Sequence, residues 1–215
     1  MSLGDVLEKI REELAKKDKL RLEIQIAVRR ATRLSKQTIF LVHKTEIEEA
    51  ENTLKEAEKI LVNLGELSRN NPDLFYTGSV DSAFQEYAEA CIFLKLVKEK
   101  RFVDFGEINV TMDSYVLGLS DVIGEFRRRA LDSIRKGEDK LAEESLEYME
   151  SIYSELIKHD ELFILIPGLR RKCDVARHVI EATRGDVAIE VRRSSLEKSI
   201  EELKEAIIKR SNELS

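Results

Sequence analysis

Helix-breaking residues are scarce in this chain, which has 2 prolines and 9 glycines in 215 residues. Proline and glycine are the residues that most often end helices or form turns, so long stretches are free to be helical. From Leu7 to about His43, apolar residues recur every three or four positions with no glycine or proline between them, which is the spacing of an amphipathic helix. The sequence therefore predicts long helices and excludes a collagen or a turn-rich β-sandwich.

The remainder of the chain divides into further predicted helices. Thr45 and Glu48 have the spacing of a capping box, so a second helix is expected to begin there and to end at residues 70–72. The fold class that the sequence predicts is all-α, a bundle of about six or seven long antiparallel helices in one domain over residues 1–215, of which 1–3 are typical of a cloning remnant. Loops are expected at 101–109 and in the apolar segment 162–168. The other helices are expected at 79–100, 112–136 (stopped by Gly137), 139–159 and 169 to about 210.

The overall charge is acidic, with 36 basic and 42 acidic residues and a net charge of −6. Such a protein is no obvious nucleic-acid binder, so binding of that kind would need a local basic patch. Two cysteines, Cys91 and Cys173, fall in predicted helices without metal-type spacing and are expected to be reduced, buried thiols of a cytoplasmic protein. No apolar run approaches the ~20 residues that cross a membrane, and no signal peptide is recognisable, so no membrane partner is predicted.

Two predicted helical segments are unusual because their only charges are acidic. Charged residues make up 36% of the chain, yet residues 82–94 and residues 114–126 contain two charged residues each. The second segment also contains Gly118 and Gly124, which weaken a helix. Close helix packing is the expected reason for these glycines, and room for a ligand is the alternative. Within each acidic pair, a spacing of three or four residues places both carboxylates on one face of the helix. The pairs are Glu86 with Glu89, and Asp121 with Glu125.

The four carboxylates are candidates for a metal site. Carboxylates on an otherwise apolar helix face must be protonated, paired or bound to a cation. If the two faces meet, a hard divalent cation such as Mg²⁺ or Mn²⁺ would neutralise them and could activate water in phosphoryl chemistry. No histidine lies in either segment, so the Glu-x-x-His pairs of a ferritin-like di-iron site are missing. The candidate catalytic and metal-binding residues are therefore Glu86, Glu89, Asp121 and Glu125.

Two groups of basic residues are candidates for contacts with phosphate. Arg128 follows Glu125 by three residues, so it could pair with Glu125 or Asp132, or contact a phosphate beside the metal. The first predicted helix carries a basic cluster with no acid between Glu23 and Glu46. A solvated helix face is the ordinary role of such a cluster, and contact with a phosphate backbone is the functional alternative. The members of the cluster are Arg29, Arg30, Arg33 and Lys36.

Three segments of the chain carry a family resemblance: 35–44 (SKQTIFLVHK), 85–90 (QEYAEA) and 115–125 (YVLGLSDVIGE). They resemble the translin superfamily, and most closely its archaeal Trax-like members (translin-associated factor X), over most of the chain from about Leu20 to the last helix. The resemblance implies a helical protomer in a hollow, octamer-like homo-oligomer. It also implies a Mg²⁺-dependent endoribonuclease that cleaves single-stranded or nicked RNA and that could also bind single-stranded DNA.

The resemblance also implies roles for the candidate residues. The acidic residues of the family correspond to positions 86, 89, 121 and 125, and the complete acidic set implies catalysis, because translin subunits lack it. No translin partner is visible in one chain, so a homo-oligomer would have to supply both the cage and the active sites. RNA would then contact the basic residues Arg29, Arg30, Arg33, Lys36 and Arg128.

Two alternatives to the endoribonuclease remain open. A translin-like scaffold would bind single-stranded nucleic acid without cleaving it, and its acidic residues would be structural. An all-α nucleotide pyrophosphohydrolase also uses Glu-x-x-Glu with a second acidic pair on helices. That family prefers Glu-x-x-Asp for the second pair, whereas Asp121 and Glu125 are four residues apart.

Overall fold

The structure is a computed structural model that describes residues 2–71 and 78–213, and these residues form seven helices and no strand. The all-α prediction is confirmed. In the same residues, no helix is both long enough and apolar enough to cross a membrane. Pro72, the predicted end of the second helix, and Met1, in the predicted remnant, lie outside the described residues. The helices are α1 (Leu3–His43), α2 (Ile47–Asn70), α3 (Gly78–Glu99), α4 (Met112–Lys136), α5 (Asp139–Lys158), α6 (Leu162–Leu165) and α7 (Leu169–Glu213).

The chain forms two compact units, Met1–Leu119 and Ser120–Ser215, and the boundary falls inside α4. We refer to them as unit 1 and unit 2. Unit 1 contains α1, α2, α3 and the first turns of α4, and unit 2 contains the rest of α4 with α5, α6 and α7. The prediction of one domain over the whole chain stays a prediction.

Helix α3 is the core of unit 1. It packs against both α1 and α2, and α1 packs against α2. Ile92, Phe93 and Leu94 are almost completely buried, and each such side chain contributes about 1.5–3 kcal/mol of transfer free energy. The close approach of α3 and α4 explains why residue 118 is a glycine, because a Cβ there would lie 2.8 Å from the Gln85 carbonyl oxygen of α3. The close helix packing expected at Gly118 is therefore confirmed.

In unit 2, α5 and α6 both pack against α7. Helix α4 joins this packing through contacts that include a ring stack and side-chain hydrogen bonds. The ring of Phe126 stacks on Tyr148 of α5, with 4.8 Å between the ring centroids. Arg127 donates hydrogen bonds from α4 to the Val179 carbonyl oxygen (3.1 Å) and to Thr183 Oγ1 (3.0 Å) of α7. The first arginine of the 127–129 run is therefore a link between helices.

The predicted capping box at Thr45 is wrong, because Thr45 closes α1 and does not begin α2. Its φ of 65° is left-handed, and the backbone forms a Schellman motif in which Thr45 N–H donates to the Val42 carbonyl and Glu46 N–H to the Leu41 carbonyl, both at 3.0 Å. Glycine usually occupies this position. No glycine is near the end of α1, so a β-branched residue takes the unfavourable conformation.

The predicted loop 162–168 is partly wrong, since it contains the single-turn helix α6, Leu162–Leu165. Gly168 then adopts a φ of 88° before α7 begins. The stop at Gly137 is confirmed, because its φ of 73° is left-handed and it follows the last residue of α4. Helix α7 passes through Gly185 without a break, as predicted.

Candidate functional site

The acidic pair of unit 1 lies on α3, with Glu89 buried and Glu86 half-buried. Lys36 of α1 forms an ion pair with Glu86, with 3.2 Å between Nζ and Oε1. The Glu86 side chain is 23% exposed and the Lys36 side chain 63% exposed, so the carboxylate is the enclosed partner. A predicted phosphate contact and a predicted metal ligand are therefore paired with each other, which the sequence did not indicate.

The basic cluster of α1 resolves into two parts. Arg29, Arg33 and Lys36 are exposed and, at spacings of four and three residues, share one face of the helix. We call these three residues the basic stripe. Its last member contacts Glu86, so the stripe ends at the unit 1 carboxylates. Arg30, three residues before Arg33, lies at the edge of this face and approaches Glu56 of α2, with 3.9 Å between Nη2 and Oε2.

The acidic pair of unit 2 lies on α4, where both Asp121 and Glu125 are half-buried. Lys172 of α7 pairs with Asp121, and the two side chains are 30% and 28% exposed. Lys172 is not among the residues predicted from the sequence. It ends a run of three bases, 170–172, and that run was the signal that could have pointed to it.

The three arginines at 127–129 have different surroundings. Arg127 is held by hydrogen bonds to α7, and burial lowers the pKa of the half-buried Arg129. Arg128 is exposed. The sequence suggests Glu125 or Asp132 as its partner, but Asp132 is paired with Arg135 at 3.1 Å. Exposure makes Arg128 the member of the run that is available to a ligand.

Gly124 differs from Gly118, although close packing was expected at both. Gly124 is exposed and a Cβ there would have no atom within 4 Å, so the prediction is wrong for this glycine. The two cysteines are free and buried, as predicted. Burial raises the pKa of Cys91 to about 12, so its thiol is not a reactive group near neutral pH.

The structure places Glu86 with Glu89 on α3 and Asp121 with Glu125 on α4. In the described ranges, no group of three or more His, Cys, Asp or Glu side chains is arranged so that it could hold a metal ion. The donor chemistry suits a hard divalent cation, because all four candidates offer carboxylate oxygens. In each pair, however, a lysine ammonium already engages one carboxylate.

The model of the translin family matches residues 19–182. This chain belongs to the translin family. The resemblance noted in the sequence is thereby confirmed. The matched region of this translin-family chain contains both acidic pairs, the basic stripe, Arg128 and Lys172.

Two relatives illustrate the family. An uncharacterized protein of Methanocaldococcus jannaschii, MJ0175, is 31% identical over 176 residues, which cover 81% of this chain and 78% of that protein. Translin-associated protein X of Mus musculus is 26% identical over 160 residues, which cover 55% of this chain and 55% of that protein. The chain thus spans about half the length of this second relative.

Solved structures agree with the family. The crystal structure of AfC3PO aligns with a TM-score of 0.77 at 33% identity, covering 87% of this chain and 97% of that one. A complex of AfC3PO with duplex RNA gives the same values. The structure of apo-NeC3PO aligns with a TM-score of 0.76 at 24% identity and supports the fold alone.

Proposed function

We propose that this translin-family chain binds RNA as part of a homo-oligomer and cleaves it as a metal-dependent endoribonuclease. The observation that carries the proposal is the pair of at least half-buried carboxylates on one helix of each unit, Glu86 with Glu89 and Asp121 with Glu125, each pair beside a lysine. A carboxylate can bind a divalent cation, and an adjacent ammonium can bind the phosphate that such a cation activates. The AfC3PO complex with duplex RNA, 33% identical to this chain, supports RNA as the ligand.

The proposed metal ligands are Glu86, Glu89, Asp121 and Glu125, and the proposed cation is Mg²⁺ or Mn²⁺. A cation of this kind would supply an activated water molecule for hydrolysis of the phosphodiester. Without a bound cation, Lys36 and Lys172 neutralise part of the carboxylate charge. A cation that binds Glu86 or Asp121 would compete with the lysine for the carboxylate, and a displaced ammonium group would be available to the RNA phosphate.

The proposed RNA contacts are the basic stripe of α1, then Arg128 and, more weakly, Arg30. An acidic protein with a net charge of −6 repels a polyanion at long range, so RNA must bind at a local basic surface. The stripe is exposed and ends at Glu86, so a strand lying along it would place a phosphate next to the unit 1 carboxylates. We propose single-stranded RNA as the substrate, because a flexible strand can follow one helix face.

The test is a cleavage assay with labelled single-stranded and duplex RNA of one sequence, each with Mg²⁺ and with EDTA. Wild-type protein is expected to cut the single strand faster, and only with Mg²⁺. Glu89→Gln should lower the rate by roughly 100-fold or more, since it removes a metal ligand. Glu181→Gln, at an exposed position of α7, is the matched control and should keep full activity. Cleavage that is unaffected by both EDTA and Glu89→Gln would overturn the proposal.

A non-catalytic RNA-binding scaffold is the second candidate. The lysine pairing favours it, because a carboxylate that is satisfied by an ammonium needs no metal. RNA binding without metal-stimulated cleavage in the same assay would establish the scaffold. Membership of the translin family favours both of these functions over a nucleotide pyrophosphohydrolase, which would release nucleoside monophosphate from nucleoside triphosphates.

A further inference from the structure

Unit 2 contains a cleft of about 500 Å³ between α4 and the first turns of α7. Its volume lies within the range of small-molecule sites, which is about 300–1,000 Å³. One side is apolar and is formed by Ile123, Val175 and Val179. Gly124 leaves this side open, because no Cβ fills the space beside it.

The charged side chains of the cleft are Asp121, Arg171 and Lys172. Lys172 is paired with Asp121, so the guanidinium of Arg171 leaves the cleft with a net positive charge in an otherwise acidic protein. Acidic residues usually stabilise the N-terminus of a helix, but the first turn of α7 contains none. A guanidinium group binds phosphate through two parallel hydrogen bonds. The cleft therefore combines an apolar wall with a site for an anion.

We infer that this cleft binds a single nucleotide that carries a phosphate monoester. The base would lie against the apolar wall, and the phosphate would contact Arg171 and Lys172. A monoester carries up to two negative charges, so Arg171 and Lys172 attract it more strongly than the single charge of an internal phosphodiester, even with Asp121 offsetting one of the two cations. The ligand could be the end of an RNA strand or a free nucleoside monophosphate. The choice of nucleotide rests on the proposed function, whereas the site itself rests on the cleft.

The test measures binding in EDTA, so that cleavage plays no part. The probes are one short single-stranded oligoribonucleotide with a 5′-phosphate, a 3′-phosphate or hydroxyl ends, together with free uridine monophosphate and uridine. A strand with a terminal phosphate is expected to bind about tenfold more tightly than the hydroxyl-ended strand, since a charge-assisted contact is gained. Uridine monophosphate should compete for binding and uridine should not.

Two variants locate the effect. Arg171→Ala should abolish the preference for a terminal phosphate by removing the exposed cation. Gly124→Leu should fill part of the cleft and weaken binding of uridine monophosphate at least tenfold, and its Cβ meets no atom within 4 Å. Gly185→Leu is the matched control, since this glycine of α7 also has no atom within 4 Å of an added Cβ and does not line the cleft.

The outcomes separate this inference from the proposed function. Equal affinity for phosphorylated and hydroxyl-ended strands, or a Gly124→Leu variant that binds like Gly185→Leu, would overturn the cleft assignment. Metal-dependent RNA cleavage would still support the proposed function in that case. Tight binding of uridine monophosphate that depends on Arg171, with no binding of RNA, would support the cleft and contradict the proposed function.

Discussion

Each unit of this chain holds a pair of carboxylates, but the two pairs have different surroundings. In unit 1, Glu89 is buried on a helix that forms the core, and the backbones of α3 and α4 touch at Gly118. In unit 2, Asp121 is half-buried at the edge of an open cleft beside the exposed Gly124. The difference indicates that Glu89 of unit 1 is fixed by packing, whereas Asp121 of unit 2 borders an open cleft.

The largest expected difference between the units is their response to alkaline pH. In unit 1, burial raises the pKa of Cys91 from 9.0 to about 12. A raised pKa means that the neutral thiol stabilises the folded state fully below pH 9, and that this stabilisation is lost as the pH rises towards 12. The free energy of unfolding should therefore fall by up to about 1.4 kcal/mol per pH unit above pH 9.

Urea unfolding of Cys91→Ala between pH 8 and pH 11 measures this contribution, because the variant should lose stability less steeply than the wild type. Cys173→Ala of unit 2 is the control. Burial raises the pKa of Cys173 too, so a smaller change of slope is expected there. Identical pH profiles for wild type and Cys91→Ala would show that the Cys91 thiol is not held neutral by the core.

Alanine at the two glycines of α4 should have opposite effects on stability. Gly118→Ala places a Cβ 2.8 Å from the Gln85 carbonyl oxygen and 2.9 Å from the Glu89 backbone nitrogen, so we expect a loss of about 1–3 kcal/mol from overpacking. Gly124→Ala meets no atom and should gain about 0.5–1 kcal/mol from helix propensity. Chemical denaturation of both variants checks the signs. A stabilised Gly118→Ala would contradict the close packing of α3 and α4 in unit 1.

The smallest expected effect concerns the basic stripe. Each phosphate contact with a single strand contributes about −0.7 to the slope of log K against log salt concentration. Arg33→Ala should therefore reduce the magnitude of the slope for single-stranded RNA by about 0.7. Arg30→Ala should reduce it by less, because Glu56 lies close to Arg30 and offsets part of its charge. A salt titration of RNA binding measures both. Equal reductions for the two variants would place the binding surface elsewhere on α1.

The helices were predictable from local sequence, and the ion pairs were not. Periodic apolar residues and scarce helix breakers gave the bounds of α4, α5 and α7 to within a few residues, because these signals act over one or two turns. The role predicted for Thr45 was wrong because the hydrogen bonds that end α1 determine its conformation. Lys36 and Glu86 are 50 residues apart in sequence and Asp121 and Lys172 are 51 apart. Such pairs depend on helix packing, which periodicity does not encode.

The same limit applies to the candidate site as a whole. The sequence identified four carboxylates in poorly charged segments, and the structure confirms that they lie on helices and are at least half-buried. The pairing of lysines with two of these carboxylates could not be predicted from the sequence. Whether these carboxylates bind a metal therefore depends on a competition between ammonium groups and a divalent cation.

Calorimetric titration of Mn²⁺ into the RNA-free protein measures directly whether the carboxylates bind a divalent cation. We expect saturable binding by the wild type, a loss of at least tenfold in affinity for Glu89→Gln, and no change for the control Glu181→Gln. Lys172→Met should bind Mn²⁺ more tightly than the wild type, because the ammonium that competes for Asp121 is gone. Absence of Mn²⁺ binding in both the wild type and Lys172→Met would contradict the metal-dependent function and leave the RNA-binding scaffold.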